Sequence, residues 1–515
     1  MKKIFIAIIS FLGINGTFAA IPKADFNVIP IPQKIELSSS TPFILNNKTK
    51  IYYQKGLERN AAFLQHYIED ICGINLKLTK IPQRNNVISL IAENNAAANA
   101  EKYTLIVNKK RIHITGNSPE GVFYGIQTLR KSLPILQTCE VEIPAGKVED
   151  SPRFSYRGVH LDVSRHFFPA DSIKKYIDII ALHNGNYFHW HLTDDQGWRI
   201  EIKSRPKLTS IGSCRAQTNG DGKQYCGFYT QNEIRDIVKY AQDRYITIIP
   251  EIDVPGHTTA ALASYPELGC TGGPYKVWEV WGGPADVLCA GNSETMNFLH
   301  DVFSEIVDLF PSKYIHIGGD ECPKERWKVC PKCQAKIKEL RIVADSTHSA
   351  EQKLQSYIMV SVENFLAKKG RRVIGWDEIL EGGLGPDAIV HSWRGMEGAV
   401  EAVHQGHDAI LSPTSHCYFD YDQEERTPID KVYSFQPVPE EFDSTEVSHI
   451  LGVQANVWTE YMPTFERVQY MLLPRLAALS EVQWSEPERM NYTDFLHRLT
   501  HLSQLYDKYG YNYAK

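Results

Sequence analysis

Tyr314-Ile315-His316-Ile317-Gly318-Gly319-Asp320-Glu321 is an apolar, β-prone run that stops at two glycines and then presents two adjacent carboxylates. Glycines let the backbone bend where a strand ends, so strict side-chain alternation breaks and neighbouring residues can face one pocket. Two carboxyls held close together do not both ionise easily, so one pKa should rise above the other. Such a pair places an acid and an anion in one site. An isolated Asp-Glu pair reads more simply as a solvated loop between a strand and a helix. The glycines, and similar strand ends elsewhere in the chain, favour the first reading.

Working outward from this run, apolar segments alternate with amphipathic helical stretches, the rhythm of parallel βαβ units. Eight strands are expected: Tyr156 to Val163, Tyr187 to Leu192, Thr247 to Ile252, Tyr314 to Ile317, Arg372 to Trp376, Ala388 to Trp393, Asp408 to Leu411 and Ile450 to Trp458. Eight units over residues 152–515 fit a (β/α)8 TIM barrel, an α/β fold whose sites form at the C-terminal ends of its strands. A helix over Thr493 to Tyr509 would complete it. Residues 21–151 read differently, as short β-rich runs broken by helical patterns near Glu58 to Cys72 and Gly121 to Leu133. This predicts a small α+β accessory domain with an antiparallel sheet, ending at Ser151-Pro152-Arg153.

Residues 1–20 read as a bacterial signal peptide: Lys2 and Lys3, an apolar run from Ile4 to Ile14, then small residues up to Ala19 and Ala20. The run is short for a membrane span and no other stretch qualifies. With no cysteine near the cleavage point, no membrane anchor is expected, and the protein should be exported, periplasmic or secreted. Asn47-Lys48-Thr49 fits a glycosylation sequon, which carries no meaning in a bacterium. The formal charge is −6 over 515 residues, which argues against nucleic acid or anionic membrane as the main partner. Aromatics make up 11%, including nine Trp and 26 Tyr, flat faces suited to pyranose rings but also usable in a large core. Ten cysteines in an exported chain permit disulfides. Cys270 and Cys289 could close one loop and Cys214 and Cys226 another. Cys330-Pro-Lys-Cys333 could be a redox pair, half of a zinc site or a tight local bridge. Without a second Cys-x-x-Cys, a four-cysteine zinc site is disfavoured against a local bridge or free thiols.

A barrel predicts polar clusters just after each strand, and the sequence supplies them. The first strand leads to Asp162 and Arg165, the second to His191, Asp194, Asp195 and Gln196, and the third to Glu251, Asp253 and His257. The fourth leads to Asp320 and Glu321, the fifth to Trp376, Asp377 and Glu378, and the sixth to Trp393. Tyr418 and Asp420 follow the seventh, and Trp458 and Glu460 the eighth. One Trp at a strand end is usually core, but three at equivalent ends would converge on a single mouth. Arg165 could fork onto vicinal hydroxyls, and an Asp–His–Glu chain could hold and tune a catalytic Glu. An acid beside an anion is what glycosidic bond cleavage requires. His189 and His191 share a strand face, so a metal-dependent amidohydrolase or deacetylase is the competing reading. A non-catalytic glycan-binding protein is a third. Against the metal reading, no further ligand set is evident beyond His257, so no metal and no cofactor are expected.

The segments His316 to Glu321, His191 to Arg199 and Pro250 to His257 resemble the β-N-acetylhexosaminidases of glycoside hydrolase family 20. Gly121 to Leu129 is similar to that family's N-terminal accessory domain. The resemblance implies an exo-acting, retaining enzyme that removes terminal GlcNAc or GalNAc from glycans, the substrate's own 2-acetamido oxygen attacking the anomeric carbon to give an oxazolinium ion. It implies that Asp320 orients the acetamide and Glu321 serves as acid and base, with Asp320 ionised beside a protonated Glu321. Asp194 and His257 would form the relay behind them. Arg165 would bind the 3- and 4-hydroxyls, and Trp376, Trp393 and Trp458 would box the acetamide and ring face. Tyr418 would hydrogen-bond the acetamide oxygen, and Asp420 and Glu460 would hold outer hydroxyls. A lacto-N-biosidase activity lies within the same family. The Cys330–Cys333 insert and the Gly- and Trp-rich loop from Gly272 to Gly283 depart from the family pattern.

Overall fold

The eight apolar runs form eight parallel strands that close into a barrel in chain order: β1 (Tyr156–Asp162), β2 (Tyr187–His191), β3 (Thr247–Glu251), β4 (Tyr314–His316), β5 (Arg372–Trp376), β6 (Ile389–Ser392), β7 (Ala409–Leu411) and β8 (Ile450–Ala455). The structure is a computed structural model that describes residues 20–95 and 99–515, so the expected leader over residues 1–20 lies almost entirely outside it. Closure is made by β8 on β1, with Tyr156 opposite Gly452 and Val159 opposite Ala455. The strands read as continuous apolar runs because helices cover them outside and side chains fill them inside. Tyr156, Ile249, Ile374, Ile389 and Ile410 pack as a separate apolar layer low in the barrel.

Above that layer the interior changes character. His160, His189, His316 and His391 point into the barrel beneath its mouth, with His189 stacked on His316 at 4.3 Å and His391 on Trp376 at 4.4 Å. The outer helices start where the sequence provides caps. Thr230 and Glu233 form a capping box ahead of Gln231–Gln242, and Ser349 and Gln352 do so ahead of Ala350–Ala367. The chain's last helix runs Tyr492–Tyr509.

The N-terminal region forms a seven-stranded sheet in the spatial order Lys34–Leu37, Gly146–Asp150, Tyr103–Asn108, Arg111–Gly116, Val87–Ala92, Lys50–Tyr53, Lys77–Thr79. The expectation of an antiparallel sheet needs correction, because this sheet is mixed. Lys50–Tyr53 runs parallel to both its neighbours, and Val87–Ala92 runs parallel to Arg111–Gly116. Helix Glu58–Cys72 follows Lys50–Tyr53 and carries the chain back across the sheet, and only such a crossover lets successive strands run parallel.

Cys214 and Cys226 form the disulfide expected of them. Cys270 is not bridged to Cys289, nor Cys330 to Cys333; all four are free thiols gathered at one place. Among the described residues no helix is long and apolar enough to cross a membrane.

Candidate active site

The strand ends converge on a cavity of about 300 Å³ at the C-terminal mouth of the barrel. Its walls include all eleven residues singled out from sequence: Arg165, Asp194, His257, Asp320, Glu321, Trp376, Trp393, Tyr418, Asp420, Trp458 and Glu460.

The turn after β4 is shaped by its glycines. Gly318 and Gly319 adopt φ of +65° and +103°, and a Cβ on Gly318 would sit 1.7 Å from Asp253 Oδ1. Glu321 itself has φ +45° and His257, facing it, +49°. Left-handed backbone at non-glycine residues costs energy and collects at functional sites. The turn sends the two carboxylates to different surroundings. Asp320 is 9% exposed and its Oδ1 has no partner among the described residues, whereas the Glu321 side chain is 60% exposed.

A continuous polar chain runs from the barrel interior to Glu321. Trp376 Nε1 donates to Glu251 Oε1 at 2.9 Å. His191 bridges Glu251 and Asp194, with Nδ1 2.5 Å from Glu251 Oε2 and Nε2 2.8 Å from Asp194 Oδ2. Asp194 Oδ1 lies 3.1 Å from His257 Nδ1, and His257 Nε2 reaches Glu321 Oε2 at 3.6 Å. Asp195 supports His257 at 3.2 Å and is itself fixed by Thr259. Burial opposes charge along this chain, but its members offset one another. Burial works against the His257 imidazolium, yet Asp194 raises it well above its ordinary value. Burial works against ionised Asp194, yet Arg165 and His257 hold it well below.

The carboxyl pair titrates in the order opposite to that expected. Burial, opposed by His257, pushes Asp320 up to about 6. The hydrogen bond from His257 holds Glu321 below its ordinary value despite partial burial. Glu321 faces solvent beside a cation while Asp320 lies in the wall, and that contrast is not visible in the Asp-Glu dipeptide. At neutral pH Asp320 is therefore an anion, as expected, but the proton expected on Glu321 rests on His257.

Arg165 is aimed by Asp194 at 2.9 Å, by Gln196 at 3.0 Å and by Glu460 at 3.8 Å, and lies 5.2 Å over the Trp458 ring. Trp393 donates to Glu378 at 3.0 Å and stacks near Tyr418 at 6.0 Å, while Trp376 and Trp458 meet at 5.9 Å. All three Trp line the cavity. Burial and the neighbouring Glu460 push Asp420 up to about 7, and its Oδ1 is also without a partner among the described residues. Orphaned acceptors on Asp320 and Asp420 suit a ligand that donates hydrogen bonds.

Some of the machinery escaped the sequence reading. Glu251 and His191 were visible at strand ends, but their place in the relay was not. His189 and His191 take different partners: His189 Nδ1 faces the Gln454 amide at 3.0 Å and its Nε2 lies 3.0 Å from Glu251, while both nitrogens of His191 face carboxylates. Trp281, Tyr421 and Tyr461 also line the cavity. Trp281 comes from the long loop after β3, and nothing in the sequence says where that loop folds.

A barrel whose mouth presents a carboxyl pair, a guarded arginine and three Trp defines a glycoside hydrolase. "Glycosyl hydrolase family 20, catalytic domain" matches residues 154–487, and "Glycosyl hydrolase family 20, domain 2" matches residues 25–151. A Porphyromonas gingivalis beta-hexosaminidase is 42% identical across 96% of this chain, which spans 65% of that relative's length. A Cellulomonas fimi beta-N-acetylhexosaminidase is 30% identical, with 95% and 96% of the two chains aligned. The crystal structure of a Vibrio harveyi exo-β-N-acetylglucosaminidase in complex with N-acetylglucosamine superposes with a TM-score of 0.85 at 32% identity, over 96% of this chain and 79% of that one. This chain belongs to glycoside hydrolase family 20.

Proposed function

We infer that this protein is an exo-acting, retaining β-N-acetylhexosaminidase that releases terminal GlcNAc or GalNAc by substrate-assisted catalysis. One observation carries the mechanism: the two carboxylates come from adjacent residues at one strand end. An ordinary retaining glycosidase sets its acid and nucleophile on opposite sides of the sugar, about 5 Å apart. Asp320 and Glu321 leave one strand end together and both reach toward His257 Nε2, at 3.9 and 3.6 Å, so the nucleophile is better supplied by the ligand. Asp320, an anion above pH 6 with an unpartnered Oδ1, accepts the acetamide N–H and faces the positive charge that develops. The Trp wall presses the acetamide inward and pre-orients the attack. Glu321 takes its proton from His257 when the aglycone covers it, protonates the leaving oxygen and later activates water.

Arg165, Asp420 and Glu460 line the cavity, whose volume of about 300 Å³ suits one pyranose with its 2-substituent. That favours an exo-enzyme over a lacto-N-biosidase. Taking the domain boundary at residues 151–152 leaves the accessory sheet outside the catalytic barrel. Export is supported by the leader-like N-terminus and by the Cys214–Cys226 bridge, which persists in oxidising compartments. The test is turnover of aryl β-glycosides of GlcNAc, GalNAc and Glc, with and without a thiazoline that mimics the cyclised acetamide. Rapid, thiazoline-sensitive cleavage of the two acetamido sugars is expected. Equal cleavage of the glucoside would refute ligand-supplied nucleophilic attack.

A further inference from the structure

Cys270 and Cys289 belong to the long loop after β3, and Cys330 and Cys333 flank the start of helix Pro331–Glu339 after β4. The fold brings all four sulfurs within 4.8 Å of one another. Cys289 Sγ lies 3.6 Å from Cys333 Sγ and 3.7 Å from Cys330 Sγ, and Cys270 Sγ lies 3.8 Å from Cys333 Sγ. A disulfide would require about 2.05 Å. A tetrahedral Zn(II) with bonds of about 2.3 Å sets its sulfur–sulfur edges at about 3.8 Å. The three separations given match that edge, and all six lie within 4.8 Å.

The surroundings agree with a closed structural site. Cys289 and Cys333 are fully buried and Cys330 nearly so. Gly291, in the turn before helix Ser293–Leu309, lets the backbone pass close to the Cys-x-x-Cys segment, where a Cβ would come 2.1 Å from the Lys332 backbone, and its amide lies against the sulfurs of Cys289 and Cys333.

We propose that Cys270, Cys289, Cys330 and Cys333 bind one structural zinc ion, separate from the sugar cavity. The spacing argument against such a site fails because two single cysteines from a distant loop replace the second Cys-x-x-Cys. The loop between Cys270 and Cys289 carries Trp281 into the cavity wall, and the insert follows Asp320-Glu321 after the short helix Glu325–Val329. The metal would therefore clamp the Trp281 loop to the element behind the carboxyl pair.

The test is zinc content of the purified full-length protein by elemental analysis, with a thiol count and intact mass after non-reducing denaturation. One zinc per chain and a single disulfide are expected. Cobalt replacing the zinc should show the charge-transfer and d–d bands of a tetrahedral thiolate. Cys330→Ser/Cys333→Ser should lower zinc to none, while Cys139→Ser, at an exposed thiol, keeps it. Zinc-free protein overturns the site, whether its four cysteines are free or joined in two further disulfides. Iron in its place, or zinc that survives the double substitution, also overturns it. Metal and mass are read on the unaltered chain, so the result stands even if the double variant does not fold.

Discussion

At the scale of single residues, Asp320 and Glu321 differ by surroundings more than by chemistry. Asp320 is buried and raised to about 6; Glu321 is open to solvent and lowered by His257. The mechanism needs Asp320 ionised, and a raised carboxyl is protonated below its pKa. Thus kcat/KM should fall as pH drops through about 6, which a pH profile of the free enzyme reads directly. Asp320→Asn should abolish that limb and slow turnover even of activated aryl glycosides. Glu321→Gln removes the proton donor, at a cost of about 10²–10⁴-fold on poor leaving groups. Activated aryl glycosides, which need no proton, should lose far less. Comparing the two leaving-group classes checks this, and equal losses would remove the acid role. The adjacency of the carboxyls was legible in the sequence. Their order of titration was not, because it depends on His257, which is more than sixty residues away in the chain.

At the scale of elements, all eight barrel strands could be read because doubly covered parallel strands are continuous apolar runs, and their polar ends lie where the fold places its chemistry. Arg372–Trp376 begins and ends as expected, whereas strand eight stops at Ala455, three residues short of Trp458. The parallel pairing of Lys50–Tyr53 was missed because partner choice is set by the crossover helix and not by strand composition. The histidine layer was also missed. His160, His316 and His391 sit in apolar runs, and only barrel closure turns them toward Glu251 and one another. The turn after β4 is where an element's shape bears most directly on catalysis. Gly318→Ala forces a methyl onto the Asp253 carboxylate, whose Oδ1 accepts from the Gly319 amide at 3.3 Å. Left-handed alanine adds about 1–2 kcal/mol of strain. Relief requires the turn to move, carrying Asp320 with it. A displacement near 1 Å costs on the order of 10²-fold in rate. We therefore expect kcat to drop by about that factor with the fold retained, as circular dichroism and steady-state kinetics would show. An unchanged kcat would mean that the turn does not position the carboxyl pair.

At the scale of the whole molecule, the accessory sheet is attached to the barrel by buried polar contacts on the side away from the cavity. Arg157 in β1 is 1% exposed and forks onto Glu101, with Nη1 3.1 Å from Oε2 and Nη2 2.5 Å from Oε1. The same guanidinium reaches Tyr124 in accessory-region helix Pro119–Ser132 at 2.9 Å and the carbonyls of Phe154 and Asn184. Asp150 makes a second junction, accepting from Tyr103 at 2.8 Å and from Trp484 of the barrel at 3.0 Å. The two regions are thus joined through a charge that cannot be left alone. Removing one partner of a buried pair strands the other in low dielectric, at a cost of about 3–5 kcal/mol. Glu101→Ala should lower the unfolding free energy by about that much in denaturant titration, because Arg157 stays buried between sheet and barrel. The cavity residues all lie at the opposite end of the strands, so activity per folded molecule should be unchanged at low temperature. If instead stability held while KM rose, the accessory sheet would be acting on the site and not on the barrel's foundation.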